Sequence, residues 1–319
     1  MSSIQEVAQR YLRVALGDSE ADFRDGQWES ISQILDQKRV LVVQRTGWGK
    51  SMIYFLATRL LRDQGQGPTL LISPLLSLMR NQIEAAERIG VIARTINSTN
   101  PDDWNSVESE IRNNNIDVLL ISPERLANVN FRQNVLATLA HNIGLLVVDE
   151  AHCISDWGHD FRPDYKRIVR IIQAIPPNIP VLATTATANN RVVKDIRSQL
   201  GDKIELSRGT LVRKSLKLQN INMPSPSARM AWLAATIPSL PSSGIVYALT
   251  QRDTERVAEW LQINEINAKA YHADLRNNED GSSVKEELEQ QLLNNEIKVL
   301  VATVALGMGF DKPDCKSSK

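Results

Sequence analysis

The chain has 319 residues, 42% of them hydrophobic, and its 37 Lys and Arg are balanced by 37 Asp and Glu. That length and apolar fraction suit one large or two ordinary α/β domains and exclude a disordered or fibrous chain. Without net charge, no overall positive field draws the molecule to nucleic acid, so any such contact must use a local groove. Cys153 and Cys315 are too few for a disulfide framework and lack zinc-site spacing, which predicts a reducing, cytoplasmic setting without structural zinc. Residues 1–13 are polar and the apolar stretch 69–79 is broken by Ser73 and Pro74, so neither a signal peptide nor a membrane span is expected.

Short β-branched runs alternate with longer amphipathic ones, the pattern of a parallel sheet covered by helices. Strands are predicted at 40–43, 69–72, 118–121, 145–148 and 181–184, with helices at 51–62, 77–89 and 164–175. This block, 1–207, forms a first domain, and the polar segment 208–227 is expected to link it to a second block, 228–319. There the predicted strands are 244–248, 268–271 and 299–302, with helices at 253–262 and 284–294. The second block is shorter than the usual ~100–150 residues of a domain, so it reads as incomplete, with 299–302 left as an uncovered sheet edge.

Thr46-Gly-Trp-Gly-Lys-Ser51 follows the first strand and opens a helix, an arrangement that aims backbone N–H groups at a phosphate. Thr46, Gly47, Trp48 and Gly49 would form the cradle, Lys50 would reach the terminal phosphates, and Ser51 would offer its hydroxyl to Mg²⁺. Gln44 stands where the phosphate-loop pattern has its first glycine. A second run, Leu145 to His152, is an apolar strand ending in two carboxylates at the C-terminal edge of the sheet, where open α/β folds bind ligands. Asp149 is then the candidate Mg²⁺ partner and Glu150 the group that orients a water, although the same pair also fits a helix N-cap and its first-turn acid. His152 follows them as a candidate link from the phosphates to neighbouring segments.

Asp149-Glu-Ala-His152 resembles the DEAH box of superfamily-two helicases, and the continuation Cys153 to Tyr165 closely resembles the RecQ DNA helicases. The resemblance implies two RecA-like α/β domains, each a parallel sheet with helices on both faces, the second incomplete. It also implies that Asp156, Trp157, His159, Phe161 and Arg162 form a loop that senses single-stranded DNA. Trp157 and Phe161 offer faces for base stacking and Arg162 a partner for phosphate, while a core-packing role for either ring stays open. Phe23-Arg24-Asp-Gly-Gln27 resembles the adenine-recognition motif. Ser73 to Gln82, with Ser73 and Arg80, and Ser122 to Arg125 resemble DNA-backbone motifs. Thr184 to Thr187 resembles the coupling motif, with Thr185 and Thr187 in the matching positions. In the second block, Thr303, Gly307 and Asp311 fall in the family's later motif, which faces DNA and the nucleotide cleft.

The family's next motif supplies an arginine finger, a group worth roughly 10³–10⁵ in rate. No arginine follows Arg276 in these 319 residues. The resemblance therefore implies an ATP- and Mg²⁺-dependent helicase that moves 3′ to 5′ on single-stranded or partly duplex DNA, with hydrolysis impaired in this shortened chain. An ATP-dependent RNA helicase and a non-enzymatic ATP- or DNA-binding module are the alternative readings.

Overall fold

The computed structural model describes residues 3–74, 80–96, 104–140, 142–155, 165–176, 178–201, 203–211, 217–275, 278 and 283–306. The chain divides into two compact units, Met1–Arg213 and Lys214–Lys319.

The first unit runs α1 (Ile4–Leu16), α2 (Gln27–Leu35), β1 (Arg39–Val43), α3 (Lys50–Asp63), β2 (Thr69–Ile72), α4 (Arg80–Glu87), β3 (Ala93–Ile96) and α5 (Trp104–Arg112). It continues with β4 (Val118–Ile121), α6 (Ala137–Ala140), β5 (Leu145–Val148), α7 (Tyr165–Ala174), β6 (Val181–Thr185), α8 (Asn190–Leu200) and β7 (Glu205–Arg208). The described strands form one sheet in the order β3-β4-β2-β5-β6-β1-β7, every pair parallel. Along β1, Val40 and Val42 pack into one apolar cluster and Leu41 and Val43 into another. Both faces are thus buried under helices, which is why the central strands read as unbroken apolar runs.

Local signals place the covering helices. Ser3 and Glu6 close a reciprocal capping box at the start of α1, and Gly17, at φ 65°, ends it in the left-handed conformation that favours glycine. Helix α3 buries Met52 through Thr58 without a gap, because it lies on the sheet and is itself packed by α1 and α2. A 3₁₀ turn, Pro123–Ala127, follows β4 and buries Leu126. The sequence reading misses β3 and β7. Both are edge strands, and polar side chains on an edge hide the alternating or continuous apolar signature. Residues 205–208, at the border of the expected linker, pair with β1 as β7.

The second unit holds α9 (Pro226–Thr236), β8 (Gly244–Tyr247), α10 (Gln251–Ile263), β9 (Ala268–Tyr271), α11 (Val284–Leu293) and β10 (Val299–Ala302). Its described strands form a parallel sheet in the order β8-β10-β9. The strand at 299–302 is therefore central and fully buried, not the uncovered edge expected from sequence. The crossover through α10 sends β9 past the position beside β8, and α11 then returns the chain to fill the gap. One apolar cluster joins Leu261 of α10 to Val299 and Val301, and another joins Leu288 and Leu292 of α11 to Leu300 and Ala302. Among the described residues, no helix is long and apolar enough to cross a membrane.

Candidate nucleotide and nucleic-acid site

Strand register brings distant segments to one edge of the first sheet. Ile72 pairs with Val148, and Val148 with Ala183, so the next residues, Ser73, Asp149 and Thr184, leave the C-terminal ends of β2, β5 and β6 side by side. The Thr184 hydroxyl donates to one Asp149 oxygen at 2.5 Å and the Ser73 hydroxyl to the other at 3.3 Å. Burial raises the Asp149 pKa and the Glu150 charge adds to that, while the Thr184 bond, the Glu150 backbone N–H and the Lys50 charge oppose it. A buried carboxylate in this balance gains strongly from a cation brought beside it. No cluster of three or more metal-ligating side chains occurs among the described residues. One or two carboxylates, completed by water and phosphate oxygens, is the donor set that suits Mg²⁺.

Glu150 adopts φ 48° and ψ 46°, a left-handed conformation uncommon for a residue with a side chain. The chain turns there into the short helix Ala151–Ile154, and Glu150 Oε2 lies 3.1 Å from His152 Nδ1. The same nitrogen is 3.0 Å from Thr185 Oγ1, and His152 Nε2 is 3.7 Å from the Cys153 thiol. His152, only 1% exposed, therefore ties the end of β5 to the end of β6. Burial opposes a charge on its ring, yet hydrogen bonds to Cys153 and Glu150 outweigh that and raise its pKa to about 9.

Because that pKa lies above the value of ~6.5 for an unfolded histidine, the bound proton stabilises the fold fully below pH ~6.5. The contribution is lost as pH rises through about 9. Melting temperature should fall across that window in the parent protein and less steeply in His152→Gln. Equal slopes in the two proteins would rule out the ring as the proton carrier.

The phosphate loop joins β1 to α3. Gly47 and Gly49 have φ of 74° and 93°, which lets the backbone curl over the start of α3. Lys50 Nζ donates to the carbonyl oxygens of Gln44 and Arg45 at 3.1 and 3.4 Å. Ser51 shares a hydrogen bond with Tyr54 one turn along. Burial raises the Tyr54 pKa well above the ordinary value, and the charges of Asp149 and Glu150 add to that.

A clasp from the preceding segment fixes the loop. Gln27 Nε2 donates to the carbonyl oxygens of Trp48 and Gly49 at 3.1 and 3.3 Å, and its Oε1 accepts from the Arg24 backbone N–H at 2.8 Å. The Arg24 guanidinium donates to the Gly47 carbonyl oxygen. Gln27 is buried and both ends of its amide are engaged by protein, so it holds the loop in shape beside the adenine-reading role that the sequence suggests. A Cβ at Gly49 would lie 2.7 Å from Gln27 Nε2, so the fit depends on that glycine. Gln27→Ala should weaken ATP and GTP alike by roughly tenfold, about 1 kcal/mol per lost bond being the usual scale. Nucleotide titration checks this; a selective loss of ATP would return the residue to base recognition.

Other expected residues fall in several places. Trp48 is 6% exposed and its ring belongs to the core, so it serves the loop through its backbone. Phe23 is half-buried against Trp28, with ring centroids 5.8 Å apart. Thr46 and Gly47 are exposed at the loop tip. Ser73, expected beside DNA phosphates, is fully buried, because the register described above points it at Asp149. Thr187 is exposed and its N–H donates to Thr185 Oγ1 at 3.2 Å. Thr303, also expected at DNA, is 8% exposed and its hydroxyl accepts from the Ala305 N–H at 3.2 Å, which caps the turn after β10. Arg80 opens α4, but its side chain lies outside the described set, as do Asp156, Trp157, His159, Phe161, Arg162, Gly307 and Asp311. Thr184 and Tyr54 were missed as site residues. Thr184 had a signal in its place within Thr184-Thr-Ala-Thr187, whereas Tyr54 reads as one more apolar residue of α3.

The fold agrees with what the chain is similar to. It is 34% identical over 304 residues to a putative ATP-dependent DNA helicase Q1 of Caenorhabditis briggsae, a match that takes in 92% of this chain and 47% of that protein. It is 33% identical over 304 residues to the ATP-dependent DNA helicase RecQ of Bacillus subtilis (strain 168), over 92% of this chain and 48% of that one. The chain thus spans about half the length of these curated relatives. Among solved structures, the Mycobacterium smegmatis helicase Lhr, bound to ssDNA and AMP-PNP, superposes with a TM-score of 0.69 at 19% identity. That superposition covers 98% of this chain and 43% of the other and bears on the fold, which is RecA-like. Residues 24–196 match the DEAD/DEAH box helicase family model. With more than half of its length in that match, the chain belongs to the DEAD/DEAH box helicase family.

Proposed function

We propose that the chain is the motor portion of an ATP-dependent DNA helicase of RecQ type that moves 3′ to 5′ on single-stranded DNA. The observation that carries this is the junction at the sheet edge, where Lys50, Ser51, the Asp149–Glu150 pair and the His152–Thr185 contact converge. In this reading Lys50 and the N-terminus of α3 bind the triphosphate. Ser51 and Asp149 hold Mg²⁺, which supplies charge neutralisation for phosphoryl transfer when bound. Glu150 orients the attacking water. Its shared contact with His152 lets a change at the phosphates reach Thr185 and the backbone of Thr187 beyond it. The stretch between β7 and α9, within the expected linker 208–227, joins the two units, and the protein works on DNA inside the cell. Preference for DNA and the 3′ to 5′ direction rest on the likeness to RecQ-type relatives.

Steady-state ATP hydrolysis by the 319-residue chain, with and without single-stranded DNA and RNA, tests the proposal, with Lys50→Ala as the blank. ATP and Mg²⁺ binding with slow turnover is expected, because no arginine of the second unit follows Arg276 in these residues. Strong DNA-stimulated turnover would correct the arginine argument. A response to RNA above that to DNA would overturn the substrate assignment. DNA binding without any turnover would favour a binding module.

A further inference from the structure

Away from the nucleotide loop, the first unit contains a cavity of about 360 Å³ lined by Leu126, Arg132, Arg167, Arg170 and Ile171. It lies where α7 packs on the 3₁₀ turn Pro123–Ala127. Leu126 is fully buried and Ile171 half-buried, so the floor is apolar, while Arg132 and Arg170 are exposed at the walls. Among the described residues, none that lines it is acidic. Arg132 is anchored, its guanidinium donating to the carbonyl oxygens of Leu126 and Ala127 at 2.8 and 3.2 Å. No carboxylate pairs with Arg132 or Arg170 among the described residues.

We infer that this cavity is a binding subsite for single-stranded nucleic acid, with the arginines on backbone phosphates and the Leu126–Ile171 floor under a base or sugar. Charge complementarity is the first support: guanidinium forks over an apolar floor suit an alternation of anionic and apolar groups, the pattern a single strand repeats at every nucleotide. Position is the second. One wall is the turn that begins at Ser122, within the segment Ser122–Arg125 that resembles a DNA-backbone motif, and the other is α7, which follows residues 156–162 in sequence. The inference rests on that proposed function, but its arginines belong to none of the segments named there. It extends the strand's path over the first unit and fixes at least two phosphates by charge alone.

The test uses the whole 319-residue chain and a fluorescein-labelled dT oligonucleotide, followed by anisotropy across a series of salt concentrations. Arg132→Ala/Arg170→Ala should bind roughly tenfold more weakly at ~0.1 M salt and lower the slope of log affinity against log salt by about 1.4, the value for two single-strand phosphates. A dA oligonucleotide should lose the same factor, since phosphate contacts carry no sequence preference. Arg132→Lys/Arg170→Lys should recover the slope, because it keeps both charges. Unchanged ATP-analogue binding by the double alanine variant shows that its fold is intact. If the parent binds DNA and the double variant binds with the same slope, this subsite is wrong while the motor reading stands. If the parent binds no DNA, both fall. Displacement of a labelled poly-glutamate peptide, with no effect on DNA, would assign the cavity to an acidic protein segment and overturn the proposal.

Discussion

Lys50→Ala should lower ATP affinity by about 100-fold or more while leaving the melting temperature nearly unchanged. The ammonium group sits on the carbonyl oxygens of Gln44 and Arg45 at the mouth of the phosphate loop, and its charge reaches Asp149. A lysine there makes charge-assisted hydrogen bonds to phosphate oxygens, each worth about 1.5–3 kcal/mol, so two of them amount to several powers of ten in affinity. The loop itself should survive the change. Its shape is held by the Gln27 and Arg24 clasp and by the buried Trp48 ring, none of which involves Lys50. Calorimetric titration with Mg²⁺ and ATP gives the affinity, and thermal unfolding gives the control. Unaltered ATP binding would remove the nucleotide site from this loop.

Thr184→Val should weaken Mg²⁺-dependent ATP binding by roughly 10- to 100-fold, the range set by losing one buried hydrogen bond to a charged group at about 1.5–3 kcal/mol. Valine keeps the shape of threonine and removes the hydroxyl that donates to Asp149 at 2.5 Å. That bond lowers the Asp149 pKa against burial and the Glu150 charge, so its loss moves the pKa further up. The sign follows: less of the carboxylate is ionised at a given pH, and the Mg²⁺ response of the variant shifts to higher pH. Ser73→Ala, which removes the longer 3.3 Å bond, should weaken Mg²⁺-dependent ATP binding less than Thr184→Val does. Mg²⁺ titrations from pH 6 to 8 separate the cases. A valine variant with the parent's Mg²⁺ dependence would reduce Thr184 to a packing residue of β6.

Local chemistry written along the chain determined much of the protein. The central strands β1, β2, β4, β5 and β6 were legible because burial on both faces demands unbroken apolar runs. The turn from β1 into α3 was legible because an apolar strand, two glycines and a helix opening at Lys50 describe a strand-loop-helix unit by spacing alone. Asp149, Glu150 and His152 could be named in order because they leave one strand consecutively. Edge strands β3 and β7 were hidden, since a strand paired on one side carries polar residues that read as loop.

Tertiary structure alone decided which hydroxyls face the acid pair. Nothing local distinguishes Ser73 of a DNA motif from Ser73 buried on Asp149; the register Ile72–Val148–Ala183 does, by setting three strand ends level. Nor does the stretch from Phe23 to Gln27 reveal that the Gln27 amide is spent on the carbonyls of a loop 21 and 22 residues away. The central place of β10 likewise depended on a crossover. Periodicity reports how an element meets solvent and core, whereas partners far apart in sequence are chosen by strand order and register, which one segment does not encode.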